Sequence, residues 1–145
     1  MGVSIYCERL NKSIDLTYMG FQRFRERVSM LACPEWGEEY SKISSASNLS
    51  KDEKEEFFDR VDEMTERLIE NGKLDKLIVH FCYQADCDGK VSSRACKRIY
   101  ECIKDYSEDD KITYGYAAHE NCPRFKDIKE LIKQCSETKS PLTWH

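Results

Sequence analysis

The apolar residues of this chain keep two different periods, and that alone restricts the folds open to it. Val3-Ser4-Ile5-Tyr6-Cys7 alternates, with β-branched residues at Val3 and Ile5, and reads as a strand. From Gly20 the step changes. Phe21, Phe24, Val28 and Leu31 recur every three or four residues, the spacing of one helix face. A strand period near the start and a helical period through the middle call for a sheet that buries one face under helices.

The rest of the chain fits that frame. Glu8 to Lys12 reads as a turn and Ser13 to Leu16 as a short returning strand. The helix from Gly20 should stop near Cys33, because Pro34 disfavours helix in the residue before it. Pro34 suits the first turn of a next helix, through Trp36 and Tyr40 to about Ile43. Ser44-Ser45-Ala46-Ser47-Asn48 is a polar loop. Ser50 with Glu53 matches a capping box. The helix it opens carries Phe57, Val61, Met64 and Leu68 on one stripe and ends at Asn71-Gly72, a left-handed stop. Leu74, Leu77, Ile78 and Phe81 mark another helix, and Gln84 to Ser92 is a loop. Ser92 or Ser93 caps a helix with Cys96, Ile99, Tyr100 and Ile103 inward. After a charged turn at Ser107 to Lys111, Ile112 to Ala117 predicts an internal strand. Arg124 to Cys135 predicts a final helix, and Pro141 to His145 a terminal strand tethered by Trp144. The fold class expected is α+β: one domain of 145 residues, helix-rich, with a small antiparallel sheet and about five to six helices.

Composition narrows the setting. A formal net charge of −4 argues against general affinity for nucleic acid or anionic membrane. No run of about 18 apolar residues occurs to span a bilayer. The N-terminus lacks a basic region followed by an apolar stretch, so a cytoplasmic location is expected. Among reduced thiols, the eight cysteines are expected to be free, several of them serving as small hydrophobes on helix faces.

Motifs for chemistry are scarce. Gln84 to Ser92 can be laid over a calcium loop with Gly89 at the glycine and Asp86 and Asp88 as ligands. The first ligand would then be Gln84 and the twelfth Ala95, where a bidentate Glu is needed. A tight turn is the simpler expectation, with Gly89 at positive φ and the aspartates bonding nearby backbone. His80, Cys82, Cys87, His119 and Cys122 could converge on a metal, but no CxxC pair exists, and His80 and Cys82 point apart on one helix. No phosphate loop, dinucleotide fingerprint or nucleophile elbow occurs. The expectation is therefore no catalytic residue, no metal ligand and no cofactor.

Two charged stretches remain. Tyr18, Arg23, Arg25 and Arg27 form a basic and aromatic cluster, and the planar fork of Arg suits phosphate or carboxylate. These four are the candidate ligand-binding residues. The alternative is a solvated helix face, with the arginines paired to Glu26, Glu38 or Glu39. The second stretch is acidic: Asp52, Glu53, Glu55, Glu56, Asp59, Asp62, Glu63, Glu66 and Glu70, against Lys51, Lys54, Arg60 and Arg67. It could imitate a nucleic-acid backbone or dock on a basic protein surface, or simply confer solubility.

Four segments together resemble a known family: Ile14-Asp15-Leu16 with Tyr18, Gly20-Phe21 and Arg23-Phe24-Arg25; Glu35-Trp36-Gly37-Glu38 with Tyr40; Asp86-Cys87-Asp88-Gly89; and Phe125-Lys126-Asp127 with Lys129 and Leu131. The family is one of short uncharacterised proteins from Firmicutes and their phages, and the resemblance spans nearly the whole chain. It implies context alone: a small accessory protein of a phage or mobile element, of a kind that often binds and inhibits host factors, defence systems included. The function expected is a non-enzymatic binding protein acting on a host protein or a nucleotide. The alternatives are a pocket protein that sequesters an anion such as a nucleotide, and a metal-dependent or cysteine enzyme.

Overall fold

The computed structural model describes residues 2–116 and 122–145. Four strands form one antiparallel sheet: β1 (Gly2–Cys7), β2 (Lys12–Thr17), β3 (Gly89–Val91) and β4 (Leu142–Trp144), in the order β2-β1-β4-β3. Six α-helices accompany it among the described residues: α1 (Tyr18–Ala32), α2 (Pro34–Tyr40), α3 (Lys51–Glu70), α4 (Lys76–Tyr83), α5 (Ser93–Ile103) and α6 (Phe125–Glu137). The architecture is α+β.

The register explains why the sheet is one-sided. Ile14, Ile5, Trp144 and Gly89 lie opposite one another across the four strands, and Lys12, Cys7, Leu142 and Val91 form the next row on that face. Ile5, Cys7, Leu142, Trp144 and Val91 are buried there under the helices. The intervening row, Ser13, Tyr6, Thr143 and Lys90, faces the other way, and His145 stacks flat on Tyr6 with centroids 4.8 Å apart. Period-two alternation has thus separated a dry face from a wet one.

Helix α1 begins two residues before Gly20, because Thr17 caps it by accepting from the Gly20 N–H at 2.8 Å. Its stripe of Phe21, Phe24 and Val28 is buried. Phe21 meets Trp144 edge-on at 5.3 Å, and Phe24 meets Phe125 of α6 at 5.3 Å. Pro34 breaks the run as expected and starts α2. Trp36 of α2 stacks on Tyr40 at 5.1 Å and donates to the Thr65 hydroxyl of α3 at 3.0 Å, tying α2 to α3. The Ser50–Glu53 capping box opens α3. Gly72 closes its end with φ at +73°.

Three expectations are corrected. The stretch Ser44 to Asn48 is not a loop but part of a 3₁₀ helix over Ile43–Asn48. The loop Gln84 to Ser92 contains β3, too short to show a period. Residues Ile112 to Tyr116 form no strand, and Ala117 lies outside the described residues. Tyr114 is buried, but its N–H goes to the Pro123 carbonyl at 2.9 Å and its carbonyl takes the Thr17 N–H at 3.1 Å, a path that does not make a ladder.

Gly89 does not need the positive φ expected of it. Its requirement is space: a Cβ there would lie 2.2 Å from the Trp144 ring. Trp144 is fully buried and cannot yield. Gly89→Ala is therefore expected to lower stability by about 1–3 kcal/mol through overpacking, measurable by urea denaturation. A stability unchanged from the wild type would contradict the packing.

Candidate functional site

The three arginines of α1 do not share a face. Arg25 points into the protein and is only 2% exposed. One arm of its fork donates to the Gln84 carbonyl at 2.7 Å; the other donates to Gln22 Oε1 at 2.9 Å and ion-pairs with Asp86. Its guanidinium lies over the Phe21 ring at 4.6 Å, and its Nε has no partner among the described residues. Arg23 and Arg27 lie on the exposed side, four residues apart. Arg23 donates to the Thr113 carbonyl at 2.6 Å and covers the Tyr114 ring at 5.0 Å. Arg27 covers the Tyr106 ring at 5.2 Å. Tyr18, half-buried at the start of α1, packs on the core. The candidate ligand cluster is thus dispersed, and Glu26, Glu38 and Glu39 are not the ion-pair partners of its arginines among the described residues.

What these side chains hold is loop structure. The segment 104–116 joins α5 toward α6, and Tyr106 and Tyr114 both donate to Glu108, Tyr106 at 2.7 Å. Burial first, then the bond to Glu108, pushes both phenols above the ordinary tyrosine range. Arg23 and Arg27 sit on the outer faces of those rings, a cation–π arrangement worth about 0.5–1 kcal/mol each at an exposed site.

The Asp86 loop is anchored by three side chains. Arg25 holds Gln84 and Asp86, Trp144 Nε1 donates to the Ala85 carbonyl at 2.9 Å, and the Gln84 amide spans Lys90, accepting from its N–H at 3.0 Å and donating to its carbonyl at 2.9 Å. Gln84 and Asp86, two of the would-be calcium ligands, are committed within the protein, while Asp88 is exposed. No group of three His, Cys, Asp or Glu side chains among the described residues is placed to hold a metal. His119 lies outside them.

All eight cysteines are free thiols; six are buried and Cys87 is exposed at the tip of the Asp86 loop. Burial pushes the Cys82 thiol up to about 12, and it raises Cys102 as well. Cys135 is raised by its contact with Cys96 and by burial. These shifts oppose thiolate formation, the reverse of what a nucleophile needs.

Charge is concentrated on α3. Its nine acids against four bases make the helix alone more acidic than the chain's net −4. Two of its bases reach α2: Arg60 meets Glu39 at 3.3 Å and Arg67 meets Glu35 at 3.4 Å. Glu55, Asp59, Asp62, Glu63 and Glu66 are exposed and form no ion pair among the described residues. This predominantly acidic surface is the one the sequence showed as a run of acids. Arg25, by contrast, gave no sequence signal separating it from Arg23 and Arg27 except its place between Phe24 and Val28.

A broad groove of about 1420 Å³ runs between β2 and α6, and none of Tyr18, Arg23, Arg25 or Arg27 lines it. No helix among the described residues is long and apolar enough to cross a membrane. Comparison of the chain with protein-family models, with curated proteins and with solved structures gave no match.

Two predictions follow from the buried charges. Asp86→Ala strands the Arg25 guanidinium and is expected to cost about 2 kcal/mol, less than a fully buried pair because the carboxylate is half in water. Adding Arg25→Met removes the stranded charge and is expected to regain part of that loss. Urea denaturation of the wild type and these variants measures both, and equal stability of Asp86→Ala and wild type would rule the anchor out. Glu26, half-buried on α1, has its carboxyl raised above 4.5, chiefly by desolvation and against the pull of Gln22, Ser44, Arg23 and Arg25. Its contribution favours folding below the unfolded value and is lost as pH rises through the folded one. Glu26→Gln is accordingly expected to raise the melting temperature at pH 7, with the gain shrinking toward pH 4. Thermal melts across that range read the effect, and a gain that grew on acidification would refute it.

Proposed function

We propose that this chain is a non-enzymatic binding protein that sets the acidic face of α3 against a basic surface of a partner protein. In keeping with its resemblance to short phage-associated proteins, the role assigned is modulation of a host factor in the cytoplasm, a defence factor being the leading class. The observation that carries this is the unpaired acid row of α3. Asp52 and Glu56, Glu55 and Asp59, Asp59 and Glu63, Asp62 and Glu66, and Glu66 and Glu70 are like-charged neighbours one turn apart. Each such pair destabilises a helix by about 0.2–0.5 kcal/mol. A surface that only conferred solubility would do so equally well with its signs interspersed. Alignment of one sign suits electrostatic steering onto a surface of the other sign.

The nucleotide-sequestering alternative has less support. It would have to rest on Arg23 and Arg27, since Arg25 is buried on Gln84 and Asp86. Catalysis draws no support from thiols that burial keeps protonated.

The test is the triple reversal Glu55→Lys/Asp59→Lys/Glu63→Lys. Partners are captured from a Firmicutes lysate on immobilised wild-type and reversed chains at low and high salt. Proteins bound by the wild type are expected to be lost both on reversal and at about 0.5 M salt, where the screening length falls to a few ångströms. The reversed chain is expected to melt no lower than the wild type, since like-charge pairs are relieved. Capture of the same proteins by both chains would remove the acidic face as the binding surface.

A further inference from the structure

Helix α5 carries charge opposite to that of α3. Its inner side buries Ala95, Cys96, Ile99 and Ile103, and its outer side presents Arg94, Lys97 and Arg98 against the single acid Glu101. These three cations are exposed and stand three and four residues apart, on one face. Arg98 pairs with Asp75, just ahead of α4, at 3.4 Å, which places the exposed Lys76 next to that face. Arg94, Lys97 and Lys76 take part in no ion pair among the described residues. The arrangement works against the helix in two ways. Like charges one turn apart weaken it, and a cation in the first turn, where Arg94 stands, opposes the helix dipole. No acid in that turn offsets the second effect.

We propose that this basic face of α5 docks on the acidic face of α3 of a second copy of the chain. The inference rests on the reading of α3 as a docking face and names one occupant of it. Charge complementarity selects that occupant. Glu55, Asp59 and Glu63 of α3 follow one another four residues apart, at about 6 Å, and so do Arg94 and Arg98 of α5. The two helices laid side by side therefore set cations against carboxylates in register. The face of α3 offers more than charge. Phe58 is 36% exposed on the same side of the helix, between Glu55 and Asp62. A ring flanked by carboxylates suits a guanidinium, which stacks on the ring while it pairs with the acids. Arg94 supplies one. The pairing is not made within one chain: α3 packs on α2, α5 packs on α1, α4 and α6, and no ion pair joins α3 to α5 among the described residues. Each copy thus presents both halves of the contact outward.

Sedimentation velocity on the full chain reads the association. In about 20 mM salt the weight-average mass is expected to climb with concentration, reaching about one and a half times the monomer at about 0.5 mM protein, and to return to the monomer at about 0.5 M salt. Arg94→Glu/Lys97→Glu is expected to stay monomeric in low salt, and so is Glu55→Lys/Asp59→Lys/Glu63→Lys. An equimolar mixture of the two reversed chains is expected to associate again, because α5 and α3 of each now match α3 and α5 of the other. A wild type that stays monomeric in low salt, association that survives either reversal, or a mixture that remains monomeric would overturn the proposal. Glu suits the first turn of a helix, so the α5 reversal is expected to fold. If it does not, Arg94→Gln/Lys97→Gln is expected to weaken association about threefold or more, and undiminished association of that variant overturns the proposal equally. The α5 reversal leaves α3 untouched and is expected to retain the proteins captured from lysate. A monomeric wild type that still captures them removes the second copy alone, and self-association without capture removes the host partner alone.

Discussion

The packing of the Trp144 ring is the contact on which the remaining structure depends. Its strand lies between β1 and β3, so its backbone joins the N-terminal hairpin to the short strand from the middle of the chain. Its ring occupies the space that Gly89 leaves empty and meets both Phe21 of α1 and Phe81 of α4 edge-on. Its indole N–H then fixes Ala85 in the loop that follows α4. One side chain therefore sets the sheet order, the seating of α1 on the dry face and the start of the Asp86 loop. An aromatic ring suits the task because it joins a large apolar area to a single directed donor.

Around that centre, α1 distributes its charges according to what each face meets. Arg25 faces the same interior as Phe24 and Val28 and is tolerated there because a carbonyl, an amide oxygen and a carboxylate surround its fork. Arg23 and Arg27 face outward and lie on the rings of the segment after α5. The helix thus organises two connections, one on each side, while the acids along α3 form no ion pair among the described residues. Burial holds the Cys82 thiol protonated, and Arg23, Arg25, Arg60 and Arg67 are engaged within the protein itself.

Much of this was legible in the residues, and the failures have physical causes. The helices were visible because each buries a stripe at helical spacing, and the break at Cys33–Pro34 and the Ser50–Glu53 cap follow from local sterics and hydrogen bonding. β3 was invisible because three residues with one buried side chain carry no period. Ile112 to Tyr116 alternates like a strand, yet its backbone bonds go singly to Thr17 and Pro123, while Tyr114 is held by Glu108. Alternation records which side chains are apolar; it does not record whether a neighbouring strand is in register to pair. Helical spacing places Arg25 beside Phe21, Phe24 and Val28 and turns Arg23 and Arg27 outward, but the partners that hold Arg25, Gln84 and Asp86, arrive from about sixty residues away in sequence, which no local pattern contains.

The central place of β4 also bears on how the chain comes together during synthesis. The β1–β2 hairpin is made before the helices and β4, with Ile5 and Cys7 on its dry face and the β4 side of β1 still unsatisfied. It must wait for the strand that fills that place until all six helices have been made. Until then the nascent chain carries a sticky strand margin in need of shielding, and closure is slow because β1 and β4 must find each other across all the intervening helices. Helix α1, which follows the hairpin directly and can form from local contacts, is then the first element available to cover its dry face.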